Sequence, residues 1–194
     1  MQPPIHPNLI TALRLPLAPI AVGFAVTETS WGYVIAAILA LALELTDILD
    51  GWIARKYEVV SDFGKLFDPF SDAFCRFTLF LGIYAIGSAD LWMILAIFYR
   101  DSSISFFRSV AAIRKFVMAA RTSGKIKAVV QGVGTQIVFI SLVLSAYFPQ
   151  APLLAKVPWW TMLVITIVTM GSFVDYLYGN LPLLRAAWND EPQS

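Results

Sequence analysis

Apolar residues run along the chain in six long stretches, approximately 9–27, 31–55, 64–87, 90–113, 125–148 and 158–182. Each is long enough to cross a bilayer as a helix, which takes about 20 residues. Short polar or turn-forming segments separate them: Glu28 to Ser30, Lys56 to Ser61, Ser88-Ala89-Asp90, Arg121 to Gly124, and Pro149 to Pro158. The pattern predicts an all-α integral membrane protein built as a six-transmembrane-helix bundle. Ahead of the first stretch, Pro3, Pro4 and Pro7 lead into an amphipathic run from Asn8 to Arg14, which reads as a short N-terminal interfacial helix. The tail from Trp188 to Ser194 is polar. With no internal repeat and no low-complexity tract, residues 1–194 are expected to form a single transmembrane domain.

Composition agrees with the pattern. Of 194 residues, 58% are hydrophobic and only 14% charged, with a mean hydropathy of +0.71; an ordinary soluble domain is excluded. The net charge of +1 carries no nucleic-acid signature. One cysteine, Cys75, permits no internal disulfide. The first apolar stretch has Arg14 and two prolines and lacks a small-residue cleavage pattern, so it is expected to be a retained helix.

Lys and Arg suggest the orientation. With both termini cytoplasmic, that side collects Arg14, Arg55, Lys56, Lys65, Arg114, Lys115, Arg121, Lys125, Lys127 and Arg185, and the opposite loops hold Lys156. Ten against one is a positive-inside bias, and a bacterial-type plasma membrane is the expected location. Arg76, Arg100 and Arg108 fall inside apolar stretches, where a guanidinium needs an anion or a wet cavity. Arg114, Lys115 and Arg121 read as lipid-facing. Trp31, and Trp159 and Trp160 beside Lys156, read as anchors at the far interface.

The chemistry gathers in twenty-six residues, spaced Asp47-x2-Asp50-Gly51-x2-Ala54-Arg55-x8-Gly64-x3-Asp68-x3-Asp72. Carboxylates are costly in apolar surroundings without a counter-charge or a metal. Helical i/i+3 spacing puts Asp47 and Asp50 on one face, and i/i+4 spacing does the same for Asp68 and Asp72. Two such helices facing each other offer a hard, oxygen-rich site suited to Mg2+ or Mn2+. Two ions held by bridging carboxylates favour displacement at phosphorus, with one carboxylate free to take a proton from the attacking hydroxyl. Gly51 and Gly64 remove side chains where a ligand must approach, and Ala54 leaves space one turn after Asp50. Arg55 can hold a phosphate by paired hydrogen bonds, or cap the end of its helix. Ser61 can reach a phosphate oxygen, or cap the next helix ahead of Asp62 and Lys65. Pro69 is expected to disturb its helix and free backbone groups near the site.

The spacing from Asp47 to Asp72 resembles, at all eight fixed positions, the signature of the CDP-alcohol phosphotransferases. The resemblance implies a six-helix membrane bundle, often a homodimer, that moves a phosphatidyl or related group from a CDP-linked donor to an alcohol, releases CMP and needs Mg2+ or Mn2+. Carried over by position, Asp47, Asp50, Asp68 and Asp72 are metal ligands, and Asp72 is also the general base. Gly51, Ala54, Arg55, Ser61 and Gly64 border the donor, CDP-diacylglycerol. The opening His6-Pro7-Asn8-Leu9-Ile10-Thr11-Ala12-Leu13-Arg14-Leu15-Pro16 looks like the start of the phosphatidylglycerophosphate synthase branch. So do Arg100-Asp101 through Arg108 and Ser123-Gly124-Lys125-Ile126-Lys127 with Gln131. In that branch the acceptor is glycerol 3-phosphate, an anion for which Arg108, Lys125 and Lys127 are suitable cations. Two departures stand out. Asp72 is followed by Ala73-Phe74, where the branch often has a lysine, and Glu44 adds a fifth acid one turn before Asp47.

Within the same chemistry, inositol phosphate, serine or another alcohol is an alternative acceptor. A divalent-cation transporter is the rival from another class, though such proteins commonly show paired repeats and midplane sites. Glu44 can tune the metal site from beside its ligands or pair with an arginine across the bundle, with neither favoured, and Asp175 in the sixth stretch has no assigned role. Gly132 and Gly134 are expected at close helix contacts.

Overall fold

The computed structural model describes residues 7–57, 62–113 and 121–188. Among them lie six long helices and no strand: α1 (Pro7–Ala25), α2 (Ser30–Lys56), α3 (Asp62–Ala85), α4 (Leu91–Ile113), α5 (Thr122–Tyr147) and α6 (Val157–Trp188). Each follows one of the six apolar stretches to within a few residues. By length and composition four are apolar enough to cross a membrane, over Asn8–Ala25, Ser30–Ile53, Thr122–Tyr147 and Leu154–Pro182. The other two, α3 and α4, carry Asp68, Asp72 and Arg76, and Arg100, Asp101 and Arg108.

The turns are chemically specified. Thr29 caps α2 by accepting the amide of Gly32 at 3.0 Å. Gly87, at φ 69°, ends α3 in the left-handed conformation, and the Ser88 amide returns to the Ile83 carbonyl at 3.0 Å. Beyond that turn, the Trp159 indole donates to Asp90 at 3.0 Å, tying the start of α6 to the α3–α4 link.

The helices close into a ring in the order α1, α2, α5, α6, α4, α3. α1 packs along both α2 and α3, which scarcely touch each other, and α3 meets α4 only along a thin seam. Small residues allow the close approach of α1 to α2: Ala18, Ala21 and Ala25 face the core from one, Ala36 and Ala40 from the other. Phe80, Ile83, Met93, Ile94, Phe139, Met162 and Ile165 fill the interior. Gly134 lies as close packing requires, since a Cβ there would stand 2.6 Å from the Ile165 Cδ1. Gly82 on α3 is equally tight, with a Cβ position 2.6 Å from Val22 Cγ2 on α1. Gly82→Val should destabilise the bundle by about 1–3 kcal/mol through overpacking. The loss should show in thermal melting and be largely reversed by adding Val22→Ala.

Two expectations change. The run from Asn8 to Arg14 is not set apart from the span: it forms the first turns of a continuous α1, with Thr11 fully buried and Arg14 2% exposed. Pro69 does not interrupt α3, which continues as a helix to Ala85. Proline removes only one hydrogen bond there, and packing against α1 holds the helix on both sides of it.

Candidate active site

Because α2 and α3 stand apart, their acids meet across α1. Arg14 donates from Nη1 to Asp47 Oδ1 at 2.7 Å, and its Nη2 lies 3.5 Å from Asp72 Oδ1. One turn earlier, the Thr11 hydroxyl donates to Asp68 Oδ1 at 3.1 Å. Ser71 of α3 in turn donates to the Thr11 carbonyl. The helical spacing of Thr11 and Arg14 thus lets one face of α1 touch three of the four signature aspartates. The sequence placed both residues in the opening motif and counted Arg14 among the cytoplasmic-side cations, without giving either a role; the structure adds that both are buried. The signal was present in the Asn-Leu-x-Thr-x-x-Arg run, which places a hydroxyl and a guanidinium one turn apart.

Of the other signature positions, Gly51 is on α2 and half-buried, and Gly64 is buried in the first turn of α3. Asp50, Ala54 and Arg55 are on α2, but their side chains lie outside the described set, and Ser61 lies wholly outside the described residues. Arg114 and Lys115 are also outside them.

Whether these acids suit a divalent ion is tested by what already stands among them. A guanidinium touches both Asp47 and Asp72, so the two carboxylates converge on one cation. The donors are all carboxylate or hydroxyl oxygen, the set that Mg2+ and Mn2+ prefer. Among the described residues no three acidic, histidine or cysteine side chains close around a single point. With Asp50 one turn along α2 from Asp47, the donor set fits the ion by its chemistry.

Beside the acids, a cavity of about 320 Å3 opens between α3, α4, α5 and α6. Asp72 lines it, as do all three sequence-predicted acceptor cations, Arg108, Lys125 and Lys127. Arg100 and Arg121 add two more, so five cations face two acids, Asp72 and Asp101. The cations are not equivalent. Lys127 gives both oxygens of Asp101 a hydrogen bond at 2.9 Å. Arg100 holds Asp101 at 2.7 Å and Ser172 at 2.8 Å. Arg121 holds both oxygens of Asp175, at 2.8 and 2.7 Å, and Ser123 donates to the same carboxylate. Arg108 lies over the Tyr176 ring, 5.9 Å from its centre. Among the described residues, Arg108 and Lys125 form no ion pair. They are the cations left to attract an anion.

These contacts correct one expectation and answer two open questions. Arg121 does not face lipid: it crosses to Asp175 over Gly179, where a side chain would collide with the guanidinium. Asp175 is therefore the anchor of Arg121 and Ser123 at the start of α5. Glu44 pairs with Arg76, Oε1 to Nη1 at 3.1 Å, and Arg76 Nε donates to Asp72 Oδ1 at 2.9 Å.

The polar cavity adjoins a larger groove of about 630 Å3 along the α3–α4 seam. Phe70, Phe74, Phe77 and Phe98 line its apolar part, and Pro69, Ala73, Asp101, Ser105 and Arg108 border both spaces.

Fold and site define a helical membrane protein with a carboxylate centre beside a cation-lined cavity. The chain belongs to the CDP-alcohol phosphatidyltransferase family, whose pattern it matches over residues 4–171. It is a transferase of phospholipid biosynthesis, and its family generally uses divalent metals. A Treponema pallidum protein named CDP-diacylglycerol--glycerol-3-phosphate 3-phosphatidyltransferase is 32% identical over 159 residues, 77% of this chain and 71% of the relative. A Bacillus subtilis protein of the same name is 29% identical over 178 residues, covering 84% and 90%. One from Rickettsia prowazekii is 26% identical over 167 residues, covering 86% and 92%.

Proposed function

We infer that the protein transfers the phosphatidyl group of CDP-diacylglycerol to glycerol 3-phosphate, giving phosphatidylglycerophosphate and CMP. The observation that carries the acceptor is the cavity in which Asp72 shares walls with Arg108 and Lys125. A phosphorylated acceptor needs cations free of other partners, and a neutral alcohol or serine does not. The relatives named above carry this activity in their names.

Asp72 takes the proton of the acceptor hydroxyl as its oxygen forms a bond to the phosphorus that bears diacylglycerol. The bond from that phosphorus to the bridging oxygen breaks, and CMP leaves with the electron pair. Arg108 and Lys125 hold the acceptor phosphate, and Lys127, locked on Asp101, braces the wall behind them. Gly51, Ala54, Arg55, Ser61 and Gly64 receive the cytidine diphosphate, and the donor's acyl chains stay among the helices and surrounding lipid. Asp47, Asp50, Asp68 and Asp72 would hold two divalent ions, Mg2+ or Mn2+, which when bound neutralise diphosphate oxygens and stabilise the leaving group. All six helices cross the membrane, α3 and α4 with their charges turned to the ring interior. Both termini and the site face the cytoplasm across a bacterial-type inner membrane. Residues 1–194 act as one domain, and the enzyme is a homodimer.

Arg108→Ala and Lys125→Ala should each raise the KM for glycerol 3-phosphate roughly tenfold, the loss of one charge-assisted contact. The KM for CDP-diacylglycerol should stay within about twofold. Unchanged acceptor KM values in both variants, measured by CMP release, would move the acceptor out of this cavity.

A further inference from the structure

Glu44 and Arg76 lie outside the eight-position signature, yet the fold ties both to its last aspartate. Arg76 follows Asp72 by one turn of α3 and is 7% exposed. Its Nε donates to Asp72 Oδ1 at 2.9 Å, while Nη1 and Nη2 stand 3.1 and 3.4 Å from the two oxygens of Glu44 on α2. Gly132 of α5 backs the Glu44 carboxylate: a Cβ there would sit 2.8 Å from Glu44 Oε2. The guanidinium fork is thus shared between two acids, one of them backed by a third helix.

The direction of the contacts on Asp72 is what matters. Both guanidinium groups that reach it, Arg76 and Arg14, use Oδ1. Oδ2 accepts no hydrogen bond among the described residues. Arg76 lines the apolar groove but not the polar cavity, and Asp72 lines the polar cavity but not the groove. A carboxylate's last torsion is broad and poorly fixed by its own chain. Resting on the reading that Asp72 receives the acceptor's proton, we propose that Arg76 is a positioning residue that holds Oδ1 and turns Oδ2 toward the acceptor, with Glu44 fixing Arg76. Misplacing a reacting group by about 1 Å can cost roughly a hundredfold in rate.

The test compares wild type, Arg76→Lys and the double variant Arg76→Met/Glu44→Gln in purified form. CMP release with CDP-diacylglycerol and glycerol 3-phosphate gives kcat and both KM values. Melting temperature with and without Mg2+, and binding of CDP-diacylglycerol, are read alongside. Lysine keeps the charge but cannot reach Asp72 and Glu44 with separate nitrogens, so kcat should fall about tenfold with both KM values unchanged. The double variant leaves no buried charge unpaired, so it should fold, bind donor, respond to Mg2+ as wild type does, and lose about a hundredfold in kcat. Wild-type kcat in either variant would overturn the positioning role and leave the pair as packing. If the double variant does not fold, Arg76→Lys decides alone by its kcat. Should wild type release no CMP with glycerol 3-phosphate, the proposed reaction fails, and that result is distinct from the failure of Arg76.

Discussion

Asp72→Asn should release no CMP above background while still binding CDP-diacylglycerol with near-wild-type affinity. A positioned base contributes about 10²–10⁴-fold, and the amide also removes a carboxylate from the cation-binding set. Asn keeps the size and most hydrogen-bonding geometry of Asp, so contacts from Arg76 and Arg14 to this oxygen survive in outline. Under the proposed assignment the donor is received by other residues, Gly51 and Arg55 among them, so its binding should persist. Near-normal turnover in Asp72→Asn, measured as CMP formed per enzyme, would show that the proton goes elsewhere.

Arg14→Met should be the most destabilising single change at the site. The guanidinium is buried and bridges Asp47 to Asp72. Removing one partner of a buried pair leaves charge uncompensated, which costs about 3–5 kcal/mol. Asp47 and Asp72 keep side-chain exposures of 36% and 31%, which places the expected loss near the low end, about 3 kcal/mol. Methionine fills the volume, so the deficit is one of charge. Mg2+ should therefore raise the melting temperature of Arg14→Met more than that of wild type. An equal response in the two proteins would separate Arg14 from the acidic centre.

The helices and the acidic signature were readable in the sequence because each depends on local spacing. Apolar stretches of membrane-spanning length gave six helices, and i/i+3 and i/i+4 intervals put the aspartates on shared faces. Apart from Arg76, one turn after Asp72 on the same helix, the partners of those acids depend on the ring order of helices, which no local pattern carries. That α1, and not α3, lies against α2 is what brings Arg14 to Asp47. The same holds for Arg121, whose position near a helix start suggested a lipid-facing cation until α6 brought Asp175 within 2.7 Å. Arg108 and Lys125 were readable as candidates. Their lack of ion-pair partners among the described residues, which distinguishes them from Lys127, emerges only in three dimensions.

The most direct test of the central claim is CMP release by the purified protein with CDP-diacylglycerol and Mg2+, offering glycerol 3-phosphate, inositol phosphate and serine in parallel. Release with glycerol 3-phosphate, and only background with the other two, is the predicted result. Release with serine or inositol phosphate and none with glycerol 3-phosphate would contradict the acceptor assignment, and release with serine alone would also contradict the role given to Arg108 and Lys125.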